Sequence, residues 1–274
     1  MKIGFVLCRV KGLQEQAIAL SDDLGVELVR RENVSIRNHY LSRGFSYYLE
    51  INSKLVSLNT LKIRQHGPVY CDFNTPTINY RRLKGGGRKQ AIARAVGISR
   101  DFRPHIVDLT AGLAEDAFIL ASLGCHVTLL ERNSVVHALL RDGIRRAGLC
   151  GQDKNEVSVV VSRMALFLSE SIEYLRCPQY SPDIIYLDPM YPQRGNSAKV
   201  SKKMQAFQEI VGEDADADGL LLPALDKAKY RVVVKRPIRA NHLNNIAPSH
   251  CIKGKSTRFD VYMLHKNTIL ATDP

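Results

Sequence analysis

The segment at residues 188–192, Asp-Pro-Met-Tyr-Pro, combines an acid and an aromatic ring with two prolines directly after an apolar run. The apolar run is typical of a buried strand, and the prolines restrict the backbone that follows it. We therefore expect Asp188 and Tyr191 to project from the strand end with little freedom left to lose. A carboxylate there can accept hydrogen bonds from a conjugated amine, and a tyrosine ring can stack on the base that bears it. The segment predicts Asp188, Pro189 and Tyr191 as catalytic residues.

An exocyclic base amine is a poor nucleophile, because its lone pair is conjugated into the ring. Hydrogen bonds to its protons draw the nitrogen toward a tetrahedral geometry, which favours attack on an electrophilic methyl group. The alternative interpretation is that Asp-Pro only forms a turn and that Tyr191 packs in the core, since Asp-Pro turns are common.

A strand, a turn of small residues and a helix follow one another at residues 106–118. Open α/β sheets bind nucleotide-like ligands at the crevice where such a strand ends. A dinucleotide would need the full G-x-G-x-x-G and a helix start without acids, and this segment has neither. S-adenosylmethionine carries a sulfonium and an ammonium group, so nearby carboxylates favour it over NAD. The residues predicted to contact this cofactor are Asp108, Ala111, Gly112, Glu115 and Asp116.

Two further positions are predicted to complete the cofactor site. Glu131 ends the next predicted strand about 20 residues after the turn, the spacing at which an acid reaches ribose hydroxyl groups. The alternative interpretation of Glu131 is a solvated acid that merely terminates the strand. Arg163 follows the third predicted strand and is expected near the adenine or the carboxylate of the ligand, but a surface base is an equally good interpretation.

The chemistry-bearing segments belong to a region in which apolar strands alternate with helix-length segments. This alternation predicts βαβ units and a doubly wound α/β fold around a mostly parallel sheet. Two strands at 250–253 and 258–264 predict a terminal antiparallel hairpin. The predicted parallel strands are residues 105–110, 126–131, 157–161, 183–188 and 231–235.

The first part of the chain has a different pattern, with short β-rich runs at 3–7, 47–51 and 54–58 separated by Asn, Gly and Ser. Such runs are typical of a small mixed α/β unit. The predicted domains are a small N-terminal α/β domain at 1–80, a basic glycine-rich connection and helix at 81–104, and the cofactor-binding domain at 105–274.

Basic residues form three clusters that the predicted fold brings to one crevice. The net charge of +12 and the pI of about 9.5 fit solvated basic faces as well as a polyanionic partner. Convergence on one sheet edge favours a nucleic-acid phosphate backbone. The glycine-rich cluster also fits a flexible basic linker. The predicted RNA-binding residues are Arg88, Lys89, Arg194, Lys199, Lys202, Lys203, Lys235 and Arg236.

Cysteine and histidine usage does not favour a metal site. The six cysteines and eight histidines are dispersed, and no C-x-x-C pair occurs. The cysteines are expected to be reduced core thiols. The N-terminus lacks the apolar region and cleavage site of a signal peptide, and no apolar run approaches the roughly 18 residues of a membrane span. We therefore expect a cytoplasmic protein without a metal or a membrane partner.

Together these motifs resemble the bacterial ribosomal RNA small subunit methyltransferase J family over about residues 80–262. The resemblance implies a class I, Rossmann-like methyltransferase fold, S-adenosylmethionine as cofactor, and methylation of the guanine N2 amine of one nucleotide in 16S-type rRNA. Carried over by position, it implies further cofactor contacts at Arg132, at the pair Arg163 and Met164, and at Asp188. The matching segments are 85–88, 108–112 with Asp116 and Phe118, 130–133, 188–192, 232–237 and 258–260.

Three other functions stay open on the sequence. An amino methyltransferase acting on DNA would use the same Asp-Pro-x-Tyr chemistry. A small-molecule methyltransferase would not need three basic clusters at the crevice. A non-catalytic RNA-binding or assembly protein would not need the constrained acid at Asp188. Whether naked rRNA or the assembled small subunit is the substrate is also open.

Overall fold

The chain forms two units, each with its own β-sheet. Unit one consists of Met1–Phe73, Asn133–Ser158 and Pro192–Glu213, and unit two of Asn74–Arg132, Val159–Tyr191 and Asp214–Pro274. The computed structural model describes residues 2–62, 67–149, 156–177, 179, 181–190, 207–208, 210–212 and 216–264. Each unit joins segments that are distant in sequence. The domain boundaries at residues 80 and 104 stay a prediction.

The regular elements alternate along much of the chain. In chain order, the strands are β1 (Ile3–Cys8), β2 (Glu27–Val29), β3 (Tyr47–Ile51), β4 (Val56–Thr60), β5 (His105–Asp108), β6 (His126–Glu131), β7 (Met164–Leu168), β8 (Ile184–Leu187), β9 (Arg231–Pro237), β10 (His250–Lys253) and β11 (Thr257–Met263). The described α-helices are α1 (Gln14–Leu24), α2 (Val34–Ser42), α3 (Pro76–Lys84), α4 (Ala91–Val96), α5 (Glu115–Ser122), α6 (Ser134–Leu149), α7 (Glu156–Val161), α8 (Ser171–Arg176) and α9 (Asp218–Lys227).

Unit one contains a four-stranded sheet with the order β2-β1-β3-β4. β1 is parallel to β2 and β3, and β4 is antiparallel to β3. Helix α6 is tied to β4 by the buried Asp142, whose carboxylate accepts hydrogen bonds from Val56 N at 3.0 Å and from Arg146 Nε at 2.7 Å. Since a buried carboxylate is stable only when it is paired and hydrogen-bonded, these contacts fix the position of α6 in this unit.

Unit two contains the seven-stranded sheet β10-β11-β9-β8-β5-β6-β7. Five adjacent strands of this sheet are parallel to one another: β7, β6, β5, β8 and β9. Strand β11 is antiparallel to both of its neighbours, β9 and β10. The chain passes from β5 outward to β6 and β7 and then returns to β8 on the other side of β5. Ligands bind at such a reversal of strand order, outside the carboxyl ends of the strands.

The structure confirms the predicted α/β class, the mostly parallel sheet and the terminal antiparallel hairpin. The third parallel strand was predicted wrongly. Residues 156–161 form helix α7, and the strand follows at Met164–Leu168. Val157, Val160 and Val161 are buried, a helical i, i+3, i+4 spacing, while Val159 is about half exposed. Their β-branched side chains suggested a strand, but propensity is a weak prior that packing overrides.

Within the described ranges, no helix has the length and apolar character to cross a membrane. Among those same residues, five cysteines are free thiols, and of these Cys8, Cys71 and Cys125 are buried. Cys251 is exposed and Cys177 is partly exposed, so the expectation that all cysteines lie in the core was wrong for these two.

Candidate active site

Three acidic residues lie at the carboxyl ends of adjacent strands in unit two. Asp108 is the last residue of β5, Glu131 is the last residue of β6, and Asp188 directly follows β8. β5 pairs with both of the other strands, so the three residues meet at one edge of the sheet. This is the edge at which the strand order reverses, and it forms the candidate crevice.

The turn after β5 is fixed against β6 through Glu131. Its Oε2 accepts a hydrogen bond from Gly112 N at 3.0 Å, and Ala111 N donates to Leu130 O at 3.1 Å. Gly112 and Ala114 both have a φ of 55°, in the left-handed region. For a residue with a Cβ this conformation costs on the order of 1 kcal/mol and is found where surrounding contacts enforce it, often at functional sites. The turn is therefore held in one shape, with its backbone close to the crevice.

Asp108 is buried at the bottom of this turn, with 3% of its surface exposed. Its Oδ1 accepts a hydrogen bond from Thr110 N at 2.9 Å. Burial raises the pKa of the Asp108 carboxyl to about 7, and the charges of Asp188 and Asp116 act in the same direction, while the Thr110 hydrogen bonds oppose them. Asp108 thus exchanges a proton near neutral pH.

Thr110, in the turn after β5, connects that turn to the end of β8. Its Oγ1 accepts a hydrogen bond from Asp188 N at 2.6 Å. Because Pro189 is buried directly after it, the backbone at Asp188 is fixed on both sides. The Asp188 side chain keeps 40% of its surface exposed, so its carboxylate is both oriented and accessible from the crevice.

Lys235 is the cationic partner of Asp188. Leu187 of β8 pairs with Val234 of β9, so the next residue on each strand lies at the same level. Lys235 Nζ lies 2.8 Å from Asp188 Oδ2 and 2.8 Å from Asp116 Oδ2. Burial favours loss of the Lys235 proton, but the two carboxylates raise its pKa above its usual value. The ammonium therefore stays charged and balances Asp188.

Asp116 holds Lys235 in place through a network of buried contacts. Besides Lys235, it accepts hydrogen bonds from Arg81 Nη2 at 2.7 Å and from the Tyr186 hydroxyl at 2.9 Å. Burial would raise the pKa of Asp116, but Lys235 and Arg81 outweigh burial and lower that pKa to about 2. Asp116 is thus a permanent anion with three protein donors. The structure gives it a positioning role, and its contact with a cofactor stays a prediction.

Two predicted cofactor residues lie at the opposite end of the sheet. Because β7 begins at Met164, Arg163 precedes the strand, and its backbone carbonyl accepts a hydrogen bond from Val127 N near the start of β6. Arg163 Nη1 donates to Ala121 O at 3.1 Å. Met164 is buried. The prediction that these two residues line the crevice was wrong, because the strand was assigned several residues too early.

The pair that follows the third strand is Ser169 and Glu170, which the sequence interpretation missed. Ser169 N donates to the carbonyl of Glu131 at 3.2 Å, so this pair lies beside the end of β6. The valines at 157 and 159–161 gave no signal of this shift, because only the structure shows which of them are buried. Arg132 lies nearby, with Nη1 2.8 Å from Asp216 Oδ2 and 4.0 Å from Glu170 Oε2.

Two predicted RNA-binding residues do not face a substrate. Lys235 is engaged by Asp116 and Asp188, as described above. Arg236 is 5% exposed, and its Nε and Nη2 donate to Asn241 O at 3.1 and 2.9 Å. These assignments were wrong because both basic side chains form internal contacts. Their alternation on β9 directs them to opposite faces of the sheet.

The remaining predicted residues are placed as follows. Glu115 is exposed in the first turn of α5, and Arg88 and Lys89 are exposed in a short 3-10 turn between α3 and α4. Tyr191, Arg194, Lys199, Lys202 and Lys203 lie outside the described residues.

The raised pKa of Asp108 predicts a pH dependence of stability. In the unfolded chain its carboxyl ionises near its ordinary pKa, whereas in the folded protein it keeps its proton up to about pH 7. The folded state therefore binds more protons between these values, and stability falls as the pH rises through this range. For one carboxyl the change is on the order of 4 kcal/mol. The amide of Asp108→Asn resembles the protonated carboxyl, so the free energy of unfolding of this variant should depend less on pH in this range.

Urea unfolding at a series of pH values between 4 and 8.5 measures this effect. The free energy of unfolding of the variant should rise relative to the unsubstituted protein as the pH increases, with most of the gain reached by about pH 7. Parallel curves for the two proteins would show that Asp108 ionises at its ordinary pKa.

Comparisons with known proteins agree with this geometry. A family described as "Putative SAM-dependent methyltransferase" matches residues 33–264. The crystal structure of a SAM-dependent methyltransferase from Neisseria gonorrhoeae is similar, with a TM-score of 0.70 and 35% identity, covering 96% of both chains. A relative from Hahella chejuensis, named ribosomal RNA small subunit methyltransferase J, is 44% identical over 93% of this chain and 93% of its own length.

The chain belongs to the ribosomal RNA small subunit methyltransferase J family. A second relative of that name, from Colwellia psychrerythraea, is 50% identical over 79% of this chain and 78% of its own length. Members of the matching family are S-adenosylmethionine-dependent, and this methyltransferase uses that cofactor. The crevice suits it, since Glu131 and Asp188 bring carboxylates to the ends of β6 and β8, which favour a cationic ligand, and Gly112 allows close backbone approach.

Proposed function

We propose that this methyltransferase methylates the N2 amine of a guanosine in small-subunit (16S) ribosomal RNA. The observation that carries the proposal is Asp188 at the end of β8: its backbone nitrogen donates to Thr110, and its carboxylate is paired with Lys235 yet still 40% exposed. The names of the relatives, which specify small-subunit rRNA, support the class of substrate.

The chain's own residues account for orientation and charge in the reaction. Bound S-adenosylmethionine supplies an electrophilic methyl group. Asp188 accepts a hydrogen bond from the guanine N2 amine and aligns its lone pair with that methyl group. As the nitrogen bonds to the methyl carbon, the bond from that carbon to sulfur breaks and S-adenosylhomocysteine leaves. The nitrogen becomes positively charged, and the Asp188 carboxylate stabilises that charge and can accept the proton that the nitrogen then loses. Lys235 and Asp116 hold the carboxylate in this orientation.

Further residues are proposed to bind the two substrates. Tyr191 stacks on the target base, which contributes roughly 1 to 3 kcal/mol and stabilises a nucleotide that is unpaired or flipped out. Glu131 accepts hydrogen bonds from the ribose hydroxyls of the cofactor. The other proposed cofactor contacts are Asp108, Ala111, Gly112, Glu115, Asp116 and Arg132. Asp188 also borders the cofactor in this proposal, but its hydrogen bond is with the guanine amine.

Arg88 and Lys89 are proposed to contact RNA phosphates, because both are exposed on a turn that follows α3 and precedes α4. Removing two phosphate contacts lowers affinity and reduces the salt dependence of binding. The double variant Arg88→Gln/Lys89→Gln should therefore decrease the slope of log affinity against log salt concentration by roughly 1 to 2. Binding of small-subunit rRNA at several salt concentrations, with S-adenosylhomocysteine present, measures this slope.

A matched control is Arg30→Gln/Arg31→Gln, which removes two adjacent exposed charges from unit one. It should leave the slope within error, so that a decrease in the first variant reports contact rather than net charge. If both pairs decrease the slope equally, the effect belongs to the total charge, and Arg88 and Lys89 are not specific contacts.

Competing functions are separated by acceptor assays with labelled S-adenosylmethionine. Small ribosomal subunits, naked rRNA and duplex DNA are each supplied as acceptor, at low and high salt. We expect transfer to a ribosomal acceptor that weakens with salt. Label in DNA alone would favour a DNA amino methyltransferase, and salt-insensitive turnover of a small acceptor would favour a small-molecule enzyme. Full cellular activity of an Asp188→Ala variant would favour a non-catalytic RNA-binding protein. Because the proposed substrate is ribosomal, we also propose a cytoplasmic location for the enzyme.

A further inference from the structure

The loop between β9 and β10, together with Arg258 of β11, forms a shallow pocket. The pocket is lined by Ala240, Asn241, His242, Asn245 and Arg258. The loop begins after Pro237, two residues beyond Lys235 on the same strand. The pocket therefore lies next to the strand end that supports Asp188, but none of its lining residues takes part in the methyl transfer described above.

Buried arginines hold this loop in shape. Arg258 is 5% exposed, and its Nε and Nη2 lie 2.7 and 3.0 Å from the two carboxylate oxygens of the fully buried Asp260. Arg258 Nη1 donates to the carbonyls of Pro237 and Ile238 at 3.1 and 2.6 Å. Arg236 binds the carbonyl of Asn241 from the same face, since Arg236 and Arg258 are paired across β9 and β11. The pocket is thus rigid before any ligand arrives.

The loop also contains two successive residues in the left-handed region. Asn244 has a φ of 50° and Asn245 a φ of 53°. Asparagine tolerates this conformation better than most residues, but two in succession still store strain. Asn244 is held by its backbone nitrogen, which donates to Asp218 Oδ1 at 2.7 Å. Asn245, in contrast, is exposed and is one of the residues that line the pocket.

The pocket lining suits an uncharged, planar, polar ligand. All three guanidinium nitrogens of Arg258 already lie on protein acceptors and the residue is 5% exposed, so a phosphate would have to compete with these acceptors. His242 is 37% exposed, with Nδ1 fixed 2.8 Å from Asp260. Histidine rings stack on unpaired RNA bases, while asparagine amides pair with base edges.

A metal ion fits the same place poorly. His242, Cys251 and Asp260 bring potential ligand atoms within 4.8 Å of one another. However, Arg258 lies on both oxygens of the Asp260 carboxylate and would repel a cation there. The neutral, amide-lined character of the pocket points to a nucleobase.

We propose that this pocket binds an unpaired base adjacent to the target guanosine. The inference rests on the proposed rRNA substrate. Lys235 and Arg236 project to opposite faces of β9, so the target base meets Asp188 on one side of the strand end while its neighbour enters the pocket on the other. The two bases are then separated from each other, and the pocket stabilises the unstacked arrangement that exposes the N2 amine.

Asn245→Gly tests the pocket with little disturbance of the backbone, because glycine adopts the left-handed conformation without strain. The matched control is Asn244→Gly, which has the same backbone conformation but lies outside the pocket lining. For Asn245→Gly we expect an increase in KM for small subunits of about three- to tenfold, the usual effect of one lost hydrogen bond. The kcat and the affinity for S-adenosylhomocysteine should stay as in the unsubstituted protein, and the thermal midpoint should match that of Asn244→Gly, because both substitutions relieve the same backbone conformation. Asn244→Gly should match the unsubstituted protein in KM, kcat and affinity for S-adenosylhomocysteine.

The salt dependence of rRNA binding distinguishes a base from a phosphate in the pocket. A base contact lowers affinity without changing the salt slope, whereas loss of a phosphate contact reduces that slope. An unchanged KM in Asn245→Gly, or an equal change in Asn244→Gly, would overturn the proposal. So would a reduced salt slope. If the unsubstituted protein itself transfers no methyl group to small subunits or rRNA, the proposed function fails, and that result is distinct from all of these.

Discussion

Asp188→Asn is expected to lower methyl transfer by at least about 100-fold while changing the affinity for S-adenosylmethionine by less than about threefold. Loss of one well-placed group that stabilises developing charge typically costs 100- to 1,000-fold in rate. The asparagine side chain would direct its NH₂ group either toward the guanine amine, from which Asp188 accepts a hydrogen bond, or toward the Lys235 ammonium. Both arrangements oppose a donor to a donor. The positive charge on the attacking nitrogen would then lose its counter-charge.

Single-turnover transfer and equilibrium binding of the cofactor measure the two effects separately. The matched control is Asp183→Asn, which alters an acid at the opposite end of the same strand, where it accepts a hydrogen bond from His105 N at 2.9 Å. Transfer by this control should stay within about twofold. Retention of more than about a tenth of the rate in Asp188→Asn would show that the carboxylate isn't the group that activates the amine.

Glu131→Ala is expected to have the opposite pattern, with the cofactor Kd raised by at least about tenfold and kcat at saturating cofactor largely retained. Hydrogen bonds to a charged group contribute about 1.5 to 3 kcal/mol, which corresponds to roughly 10- to 100-fold in affinity. The substitution removes the acceptor for Gly112 N and so also loosens the turn after β5. Titration calorimetry with S-adenosylhomocysteine measures the change.

Glu131→Gln serves as the control, because its amide oxygen can still accept the Gly112 hydrogen bond. Its affinity should fall between those of Glu131→Ala and the unsubstituted protein. If Asp188→Asn and Glu131→Ala weakened cofactor binding equally, the division between a catalytic acid and a cofactor-binding acid would be wrong.

The parts of the fold that sequence predicted well depend on local patterns. Apolar strands that end at Glu131 and Asp188 are readable from periodicity, and the carboxyl ends of parallel strands must meet at one edge. The first parallel strand was predicted to run to residue 110, whereas it ends at Asp108. The hairpin of β10 and β11 was similarly indicated by two short strands and a Gly-Lys-Ser-Thr connection. The crevice and its acids could therefore be predicted without a structure.

The pairing of charges could not be predicted, because it depends on contacts between distant residues. Lys235 and Asp116 are 119 positions apart, and Arg81 and Asp116 are 35 apart. Sequence alone identifies Lys235 and Arg236 as bases, but only the structure shows that one balances Asp188 and the other binds a loop carbonyl. The helical burial of the valines before β7 is likewise a result of packing, and it shifted the expected strand by several residues.

The measurement that tests the central claim most directly is transfer of a labelled methyl group from S-adenosylmethionine to small ribosomal subunits from cells that lack this enzyme, followed by nucleoside analysis of the rRNA. We predict a single labelled product, N2-methylguanosine, formed by the unsubstituted protein and not by Asp188→Asn. Label in any other nucleoside, or no label in either subunits or naked rRNA by a protein that binds the cofactor, would contradict the proposal.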